Sequence, residues 1–359
     1  MATMEDIARR LGISKSTVCK ALNDAADVSS ATREAVYQVA REVGYIQVSL
    51  SDAGKIALFL ENMAYTSPND YVWSIIAGFR QMAESSGYQI DVIPLDPLMQ
   101  AQVMYDAYMQ ERGYAGALFL GLAPGDPWLQ DFQVCRYPAV VWDIPVPGNP
   151  RVAQLGGDNE EAMYQVVTCL QKLGHKKIGY LSGDLNSYVN QIRYFSFFRA
   201  LRKCALPSNS RLAGRSSHTS ECIDKHLPRL LEEGVTAIIC SQDRLAHAVM
   251  IHCQELGLQV PQDVSIVGFD DSPFCAYTVP PLASVRVDRM QLGRSGFLTL
   301  KALMDGFPLG SVLLHTELVR RKSMGRYPNK DKVTFQETQF ATVEEDPAAA
   351  TEAQLQFEV

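Results

Sequence analysis

The sequence predicts a two-lobed α/β protein with parallel sheets, preceded by a small all-α domain. Three observations carry that expectation. From about residue 56 onward, apolar runs of five to seven residues alternate with stretches of helical period, the pattern of parallel sheets covered on both faces. The alternating span runs to about residue 325, longer than one core usually fills, so it suits two lobes. The first fifty residues carry helix signals only.

Composition narrows the function classes. Hydrophobic residues are 47% of the chain and charged ones 20%, which places it among folded globular proteins. The 33 Lys and Arg against 40 Asp and Glu give a net charge of −7, so no basic coat wraps nucleic acid or acidic lipid. Any DNA contact must come from a local patch. No run approaches the length of a membrane span, and MATMEDIARRLG has no apolar leader core, so a cytoplasmic protein is expected. The 8 cysteines lie far apart with no C-x-x-C pair, which argues against a disulfide framework and against zinc. No cofactor is expected.

In the first domain, Thr3 with Asp6 forms a capping-box pattern, Ile7, Ala8 and Leu11 form an apolar face, and Gly12 ends the helix. Ser14 caps a second helix, Lys15 to Leu22, with Val18, Ala21 and Leu22 turned inward. A third helix comes after Ser29 and Ser30, over 31–43, with Gly44 as its C-terminal cap. Two short helices joined by a turn with glycine are a helix-turn-helix signature. Lys15, Ser16, Cys19 and Lys20 lie on the free face of the second helix, flanked by Thr17 and Asn23. Lysine at such a face donates to guanine O6 and N7 in a major groove. An ordinary surface helix with two lysines fits the same pattern, and residues 1–50 hold six basic against six acidic residues, so charge does not decide.

In the body, strands are expected at IALFL (56–60), YQIDVI (88–93), AGALFLG (115–121), PAVVW (138–142), KIGYLS (177–182), TAIIC (236–240) and VSIVGF (264–269). Helices are expected near 72–86, 99–111, 159–173, 190–203, 220–233 and 243–256. Ligands of open parallel sheets collect beyond the carboxyl ends of the strands, so a cleft between facing lobes is the natural pocket. Asp143, Arg193, Gln242, Asp243 and Asp270 each lie just beyond a strand or at the start of the next helix. Tyr71, Trp73 and Trp142 are aromatic candidates for covering the apolar face of a ring. Each has a structural alternative: a helix cap, an ion pair or core packing. After about Ser323 the chain turns acidic and alanine-rich, as in EEDPAAATEAQ, which reads as a solvated tail with room for a short helix at 348–356 and no leucine heptads.

The wording of the sequence adds a resemblance. D-I-A, L-G-I-S, S-T-V, the L-N after the second helix, V-S-x-x-T-R and G-Y closely match the DNA-binding head of LacI/GalR-family transcription regulators. The match continues through N-D-Y-V-W-x-x-x-x-G-F (69–79), V-V-W-D (140–143), G-G-D-N (156–159), L-G-H-K-K-I-G-Y-L-S-G (173–183), V-S-I-V-G-F-D-D (264–271), P-P-L-A-S-V-R (280–286) and L-V-R-R-K-S (318–323), about nine-tenths of the chain. The resemblance implies a head over 1–46, a linker over 47–55, a periplasmic-binding-protein-like (type I) sensor over 56–325 and a tail over 326–359. It places Lys15, Ser16 and Lys20 at base-reading positions and Thr17, Asn23, Ser29 and Thr32 near phosphates. It assigns Asp143, Arg193 and Asp270 to the hydroxyls of an effector, with carbohydrate the suitable class.

The chain departs from the family pattern in three places. Its linker, IQVSLSDAGK, is short and lacks A-R-S-L. Leu50 is then either a remnant minor-groove wedge or an exposed residue of a plain tether, and Asp52 and Gly54 favour the tether. The usual Asn-Asp after the strand at 236–240 is Gln242-Asp243, and Ser196 replaces the glycine expected after Arg193. The resemblance further implies a homodimeric regulator, most simply a repressor, on a pseudo-palindromic operator. A sugar sensor without sequence-specific DNA binding and a regulator answering to a protein co-effector are the alternatives. No nucleophile elbow, phosphate loop or G-x-G-x-x-G is present, His247 and His252 lack metal-ligand spacing, and adjacent Asp270 and Asp271 diverge too much for glycosidase acids. An enzyme is not expected.

Overall fold

The computed structural model describes residues 3–22, 28–42, 54–68 and 70–327. Asn23, Gly44, Leu50, the linker up to residue 53 and the tail beyond Tyr327, with its expected helix at 348–356, lie outside the described residues.

The head has three helices, α1 (Met4–Leu11), α2 (Lys15–Leu22) and α3 (Ser30–Glu42). The capping box at Thr3 and Asp6 forms, and Gly12 closes α1 with a left-handed backbone, φ 67°. Ser14 Oγ accepts from the Thr17 amide at 3.0 Å and Ser29 Oγ from the Thr32 amide at 3.1 Å, so each of the next two helices starts where its serine predicts. Ile7, Val18, Ala21, Leu22 and Val36 share one small core.

The body continues as β1 (Lys55–Leu60), α4 (Trp73–Ser85), β2 (Gln89–Pro94), α5 (Pro97–Gln102), α6 (Tyr105–Arg112), β3 (Tyr114–Leu120), α7 (Trp128–Asp131), β4 (Ala139–Trp142) and β5 (Val152–Gly157). Then come α8 (Asn159–Lys172), β6 (Ile178–Ser182), α9 (Tyr188–Lys203), β7 (Ala213–Arg215), α10 (Thr219–Glu221), α11 (Leu227–Glu232), β8 (Ala237–Cys240), α12 (Asp243–Glu255), β9 (Ser265–Phe269), β10 (Ala283–Arg286), α13 (Arg289–Met304), β11 (Ser311–Leu314) and β12 (Glu317–Val319). They build two six-stranded sheets, ordered β11-β5-β4-β3-β1-β2 and β12-β10-β9-β8-β6-β7. Every pairing is parallel except β10 with β12. Along β1 the side chains alternate between two cores: Ile56, Leu58 and Leu60 pack with α4 and α13, while Ala57 and Phe59 pack with Trp128 and Tyr105. The chain passes between the sheets three times: after β5, after β10 and after β11.

Several expectations need correction. The helix expected over 99–111 is two. Asp96 caps α5 ahead of Pro97, and Asp131 accepts from the Tyr105 amide at 2.8 Å, restarting the chain as α6. The helix near 220–233 is interrupted by a π-type turn at Cys222–His226. Strands β5, β7, β10, β11 and β12 and the sixteen-residue α13 were not expected as elements. Among the described residues no helix is long and apolar enough to cross a membrane, and no cluster of side chains suits a metal ion.

Candidate functional site

Two surfaces gather the nominated residues. The first is the free face of α2. Lys15, Ser16 and Lys20 are exposed there, and Thr17 and Cys19 are half-buried beside them. Lys15 Nζ reaches back to Glu5 Oε1 at 2.9 Å, and that pairing holds the Glu5 carboxyl below its usual range. Thr17 Oγ1 sits 2.8 Å from Ser14 Oγ, and Ser29 Oγ sits 2.7 Å from Thr32 Oγ1. The three residues nominated for phosphate contact in the described region are thus hydroxyls at helix starts, where free amides attract anions.

The second is the cleft between the sheets, at the carboxyl ends of their strands. Tyr71 precedes α4, Trp142 ends β4 and Asp143 follows it, Arg193 lies on α9, and Asp270 comes just after β9; all five line one inner pocket. Arg193 is nearly fully committed. Its Nε donates to Asn159 Oδ1 at 2.8 Å, Nη1 to the Ser241 carbonyl at 2.6 Å and Nη2 to Asp270 Oδ1 at 3.2 Å, while its guanidinium carbon lies 4.1 Å from the Phe269 ring centroid. Tyr71 is covered on two sides, by the Trp142 ring at 5.6 Å and by the Arg289 guanidinium at 4.3 Å. Arg289 also donates to the Asp270 carbonyl, so a residue of α13 bridges to the other sheet. The room left inside is about 20 Å³, enough for a single water.

Asp143 behaves differently. Its backbone is left-handed, φ 62°, as is that of Asp270 at φ 96°, a conformation that costs a non-glycine residue of order 1 kcal/mol and gathers at functional sites. Among the described residues its carboxyl makes no hydrogen bond; only its backbone is held, by the Leu155 carbonyl at 2.7 Å and the Gln154 amide side chain at 3.1 Å. Burial pushes the acid up to about 7, the Arg193 charge opposes the rise and Asp270 adds to it. Burial likewise pushes the Tyr71 phenol well above its ordinary value.

Three nominated residues, Trp73, Gln242 and Asp243, are not brought into this pocket. Trp73 opens α4 and packs on Tyr65 at 4.9 Å. Gln242 precedes α12 with an exposed side chain. Asp243 is buried, accepting from the Ser272 amide at 2.6 Å and the Ser284 hydroxyl at 2.5 Å, so it ties loops together. Asp271 points away from Asp270 and holds Arg286 at 2.7 Å and Arg321 at 2.6 Å. Sequence reasoning missed Asn159, Phe269 and Arg289. The rule that found Arg193, a polar residue at the start of a helix beyond a strand, also fits Asn159 and Arg289.

Comparison with known proteins finds relatives for the head and for the body. A family described as bacterial regulatory proteins, lacI family, matches residues 3–47, and a periplasmic binding protein-like domain matches residues 167–324. The HTH-type transcriptional repressor CytR of Escherichia coli is 28% identical over 338 residues, covering 91% of this chain and 97% of that protein. The HTH-type transcriptional regulator MalR of Streptomyces coelicolor is 27% identical over 341 residues, 91% of this chain and 98% of that one. In fold, the chain resembles a transcriptional regulator CelR–cellobiose complex (TM-score 0.65, 24% identity, 90% of this chain and 100% of that one). It also resembles a lac repressor dimer bound to operator and the anti-inducer ONPF (TM-score 0.63, 24% identity, 90% of this chain and 99% of that one).

Proposed function

We infer that the chain, with a head that matches the lacI family of bacterial regulatory proteins and 28% identity to the repressor CytR over 91% of its length, is a LacI-type DNA-binding transcriptional repressor, not an enzyme, controlled by a small-molecule effector held between the lobes. It works as a homodimer. Two heads take the half-sites of a pseudo-palindromic operator in the major groove. A sugar or related metabolite binds the two arrangements of the lobes unequally, shifts their balance and so resets the spacing of the heads. The head spans 1–46, the linker 47–55, the sensor 56–325 and the tail 326–359. In the head, Lys15, Ser16 and Lys20 read bases and Thr17, Asn23, Ser29 and Thr32 set the position on phosphates. Asp143, Arg193 and Asp270 make the polar rim of the effector site, backed by Tyr71 and Trp142.

The observation that carries this function is the pairing of a helix-turn-helix face bearing Lys15, Ser16 and Lys20 with a two-sheet body that converges charged residues on one cleft. Selection of genomic fragments by the purified full-length chain tests it. A pseudo-palindromic motif is the expected result, and binding indifferent to sequence would overturn it.

A further inference from the structure

We propose that Glu61 and Asp126 share one proton across a buried carboxyl–carboxylate bond, and that losing this proton above neutral pH unlocks the loop leading from β1 to the cleft. The inference goes beyond the regulator reading and holds whatever the effector is.

Glu61 stands directly after β1, its amide bonded to the Leu120 carbonyl at 2.9 Å. It is 1% exposed, Gln100 3% and Asp126 6%. Glu61 Oε2 accepts from Gln100 Nε2 at 2.7 Å, and Gln100 Oε1 accepts from the Trp128 amide at 3.2 Å, so one carboxyl ties β1 to α5 and α7. Its other oxygen, Oε1, is sealed from solvent and has no donor among the described residues. The group that bonds to the Glu61 carboxyl beside Gln100 is the Asp126 carboxyl, whose own Oδ2 accepts from the Ala123 amide at 2.5 Å. Two carboxylates only repel, and a hydrogen bond between them needs a proton on one.

Burial first, then the charge and the bond of Asp126, push the Glu61 acid up to about 7; Gln100 opposes the rise and Asp96, the cap of α5, adds to it. The charges acting on the pair from its surroundings are thus negative. The backbone at Glu61 has little room to shift, for a Cβ on Gly121 would lie 1.9 Å from the Glu61 carbonyl oxygen. Asn62 follows with a left-handed backbone, φ 53°, and ten residues after Glu61 comes Tyr71, in the cleft wall. An acid raised in the folded state takes up its proton on folding, so the cost of the pair grows from about 4.5 and levels off above about 7. With the proton gone, two shielded like charges face each other, and opening of the loop toward water relieves them.

Hydrogen exchange of the full-length chain, read by mass spectrometry on peptides over 61–68, 95–103 and 121–132, tests this. Glu61→Gln keeps the bond at every pH, since its amide donates to Asp126. Asp126→Asn keeps it in the opposite sense, donating to Glu61. Both variants should match the unaltered chain at pH 5 and exchange about tenfold more slowly than it at pH 8.5, the equivalent of one unit in the acid's affinity for its proton. Infrared spectra at pH 6 should show a protonated-carboxyl band that Glu61→Gln lacks and Asp143→Asn retains. If Glu61→Gln does not fold, the exchange of Asp126→Asn decides. No gap in exchange at pH 8.5, a gap of equal size at pH 5, or an infrared band unchanged in Glu61→Gln would each overturn the proposal.

Discussion

Arg193 and Asp270 meet at 3.2 Å with the arginine side chain 12% exposed and the aspartate 25%, so the pair that rims the cleft is also part of its frame. Removing either partner strands a shielded charge. Loss of one member of a buried pair costs about 3–5 kcal/mol, and the partial exposure here lowers that to roughly 2 kcal/mol. Arg193→Ala should therefore lower the melting temperature of the body by about 4–8 °C. The double variant Arg193→Met with Asp270→Asn should lose less than the sum of the single changes. Strict additivity in calorimetric unfolding would show that the two are independent.

Asp143 makes stability depend on pH in a definite direction. Its carboxyl is pushed up to about 7, well above the ordinary carboxylate range, chiefly by burial. An acid whose folded value is raised takes up a proton on folding. The cost of keeping it buried therefore grows as pH rises from about 4 and levels off above about 7. Asp143→Asn should melt higher than the unaltered chain at pH 7.5, and the gap should narrow at pH 6 and again at pH 5. A constant gap across that range would remove burial of the acid as its cause.

The roles proposed for the head separate two kinds of DNA contact. Lys15→Ala should change which base is preferred at one operator position, a discrimination of about 1–3 kcal/mol. Thr17→Ala should weaken all sequences alike, since its hydroxyl serves the start of α2 beside Ser14. The 2.9 Å bond from Lys15 to Glu5 adds a third expectation: Glu5→Gln, which removes a negative charge beside the face of α2, should tighten operator binding and steepen its salt dependence. Quantitative mobility shifts over operator variants read all three. Identical profiles for the Lys15 and Thr17 variants would refute the division of roles.

Much of this fold is legible in the sequence. Strand runs and caps are local signals, and both survive in β1, β3, β6 and α1 because side-chain alternation and hydroxyl caps act within a few residues. Helix α13 is not legible, since Gly293 and Gly296 read as breakers until α4 is seen to need the space. In the cleft, the strand-end rule finds Asp143, Arg193 and Asp270 but also nominates Gln242 and Asp243, and the search for a ring-covering aromatic nominates Trp73. Which way a residue turns at a helix start depends on helix phase, and neighbours such as Tyr65 decide it. The exhaustion of Arg193 by its own partners is a three-dimensional fact with no trace in spacing.

Dimerisation offers a target on the surface. Tyr277 is 85% exposed and Val279 80%, the two most exposed large apolar side chains among those described. Ile251 and Leu256, on α12 and at its end, are also exposed, at 42% and 44%. In the homodimer proposed above, residues of this kind are the expected face for a second copy. Tyr277→Asp should convert the dimer to monomer in sedimentation at micromolar concentration without lowering helix content. Operator affinity should fall at least about a hundredfold, because one head keeps only its own phosphate contacts. An unchanged dimer would move the interface elsewhere.

The close backbone contact between α4 and α13 supplies the last prediction. A Cβ at Gly78 of α4 would lie 2.1 Å from the Met290 carbonyl oxygen, and one at Gly293 of α13 would lie 1.9 Å from that of Ile75. Both obstacles are backbone, so neither can swing aside, and an alanine must push one helix off the other. Overpacking of this kind costs about 1–3 kcal/mol, a fall of roughly 3–10 °C in melting temperature for a body of this size. Because α13 begins at Arg289, the shift also loosens the bridge to Tyr71 and Asp270, so the intrinsic fluorescence of Trp142 against Tyr71 should change with it. Gly310→Ala is the control, for nothing lies within 4 Å of its Cβ. If Gly293→Ala melts within a degree or so of that control, the helices are not in backbone contact and α13 does not fix the cleft through α4.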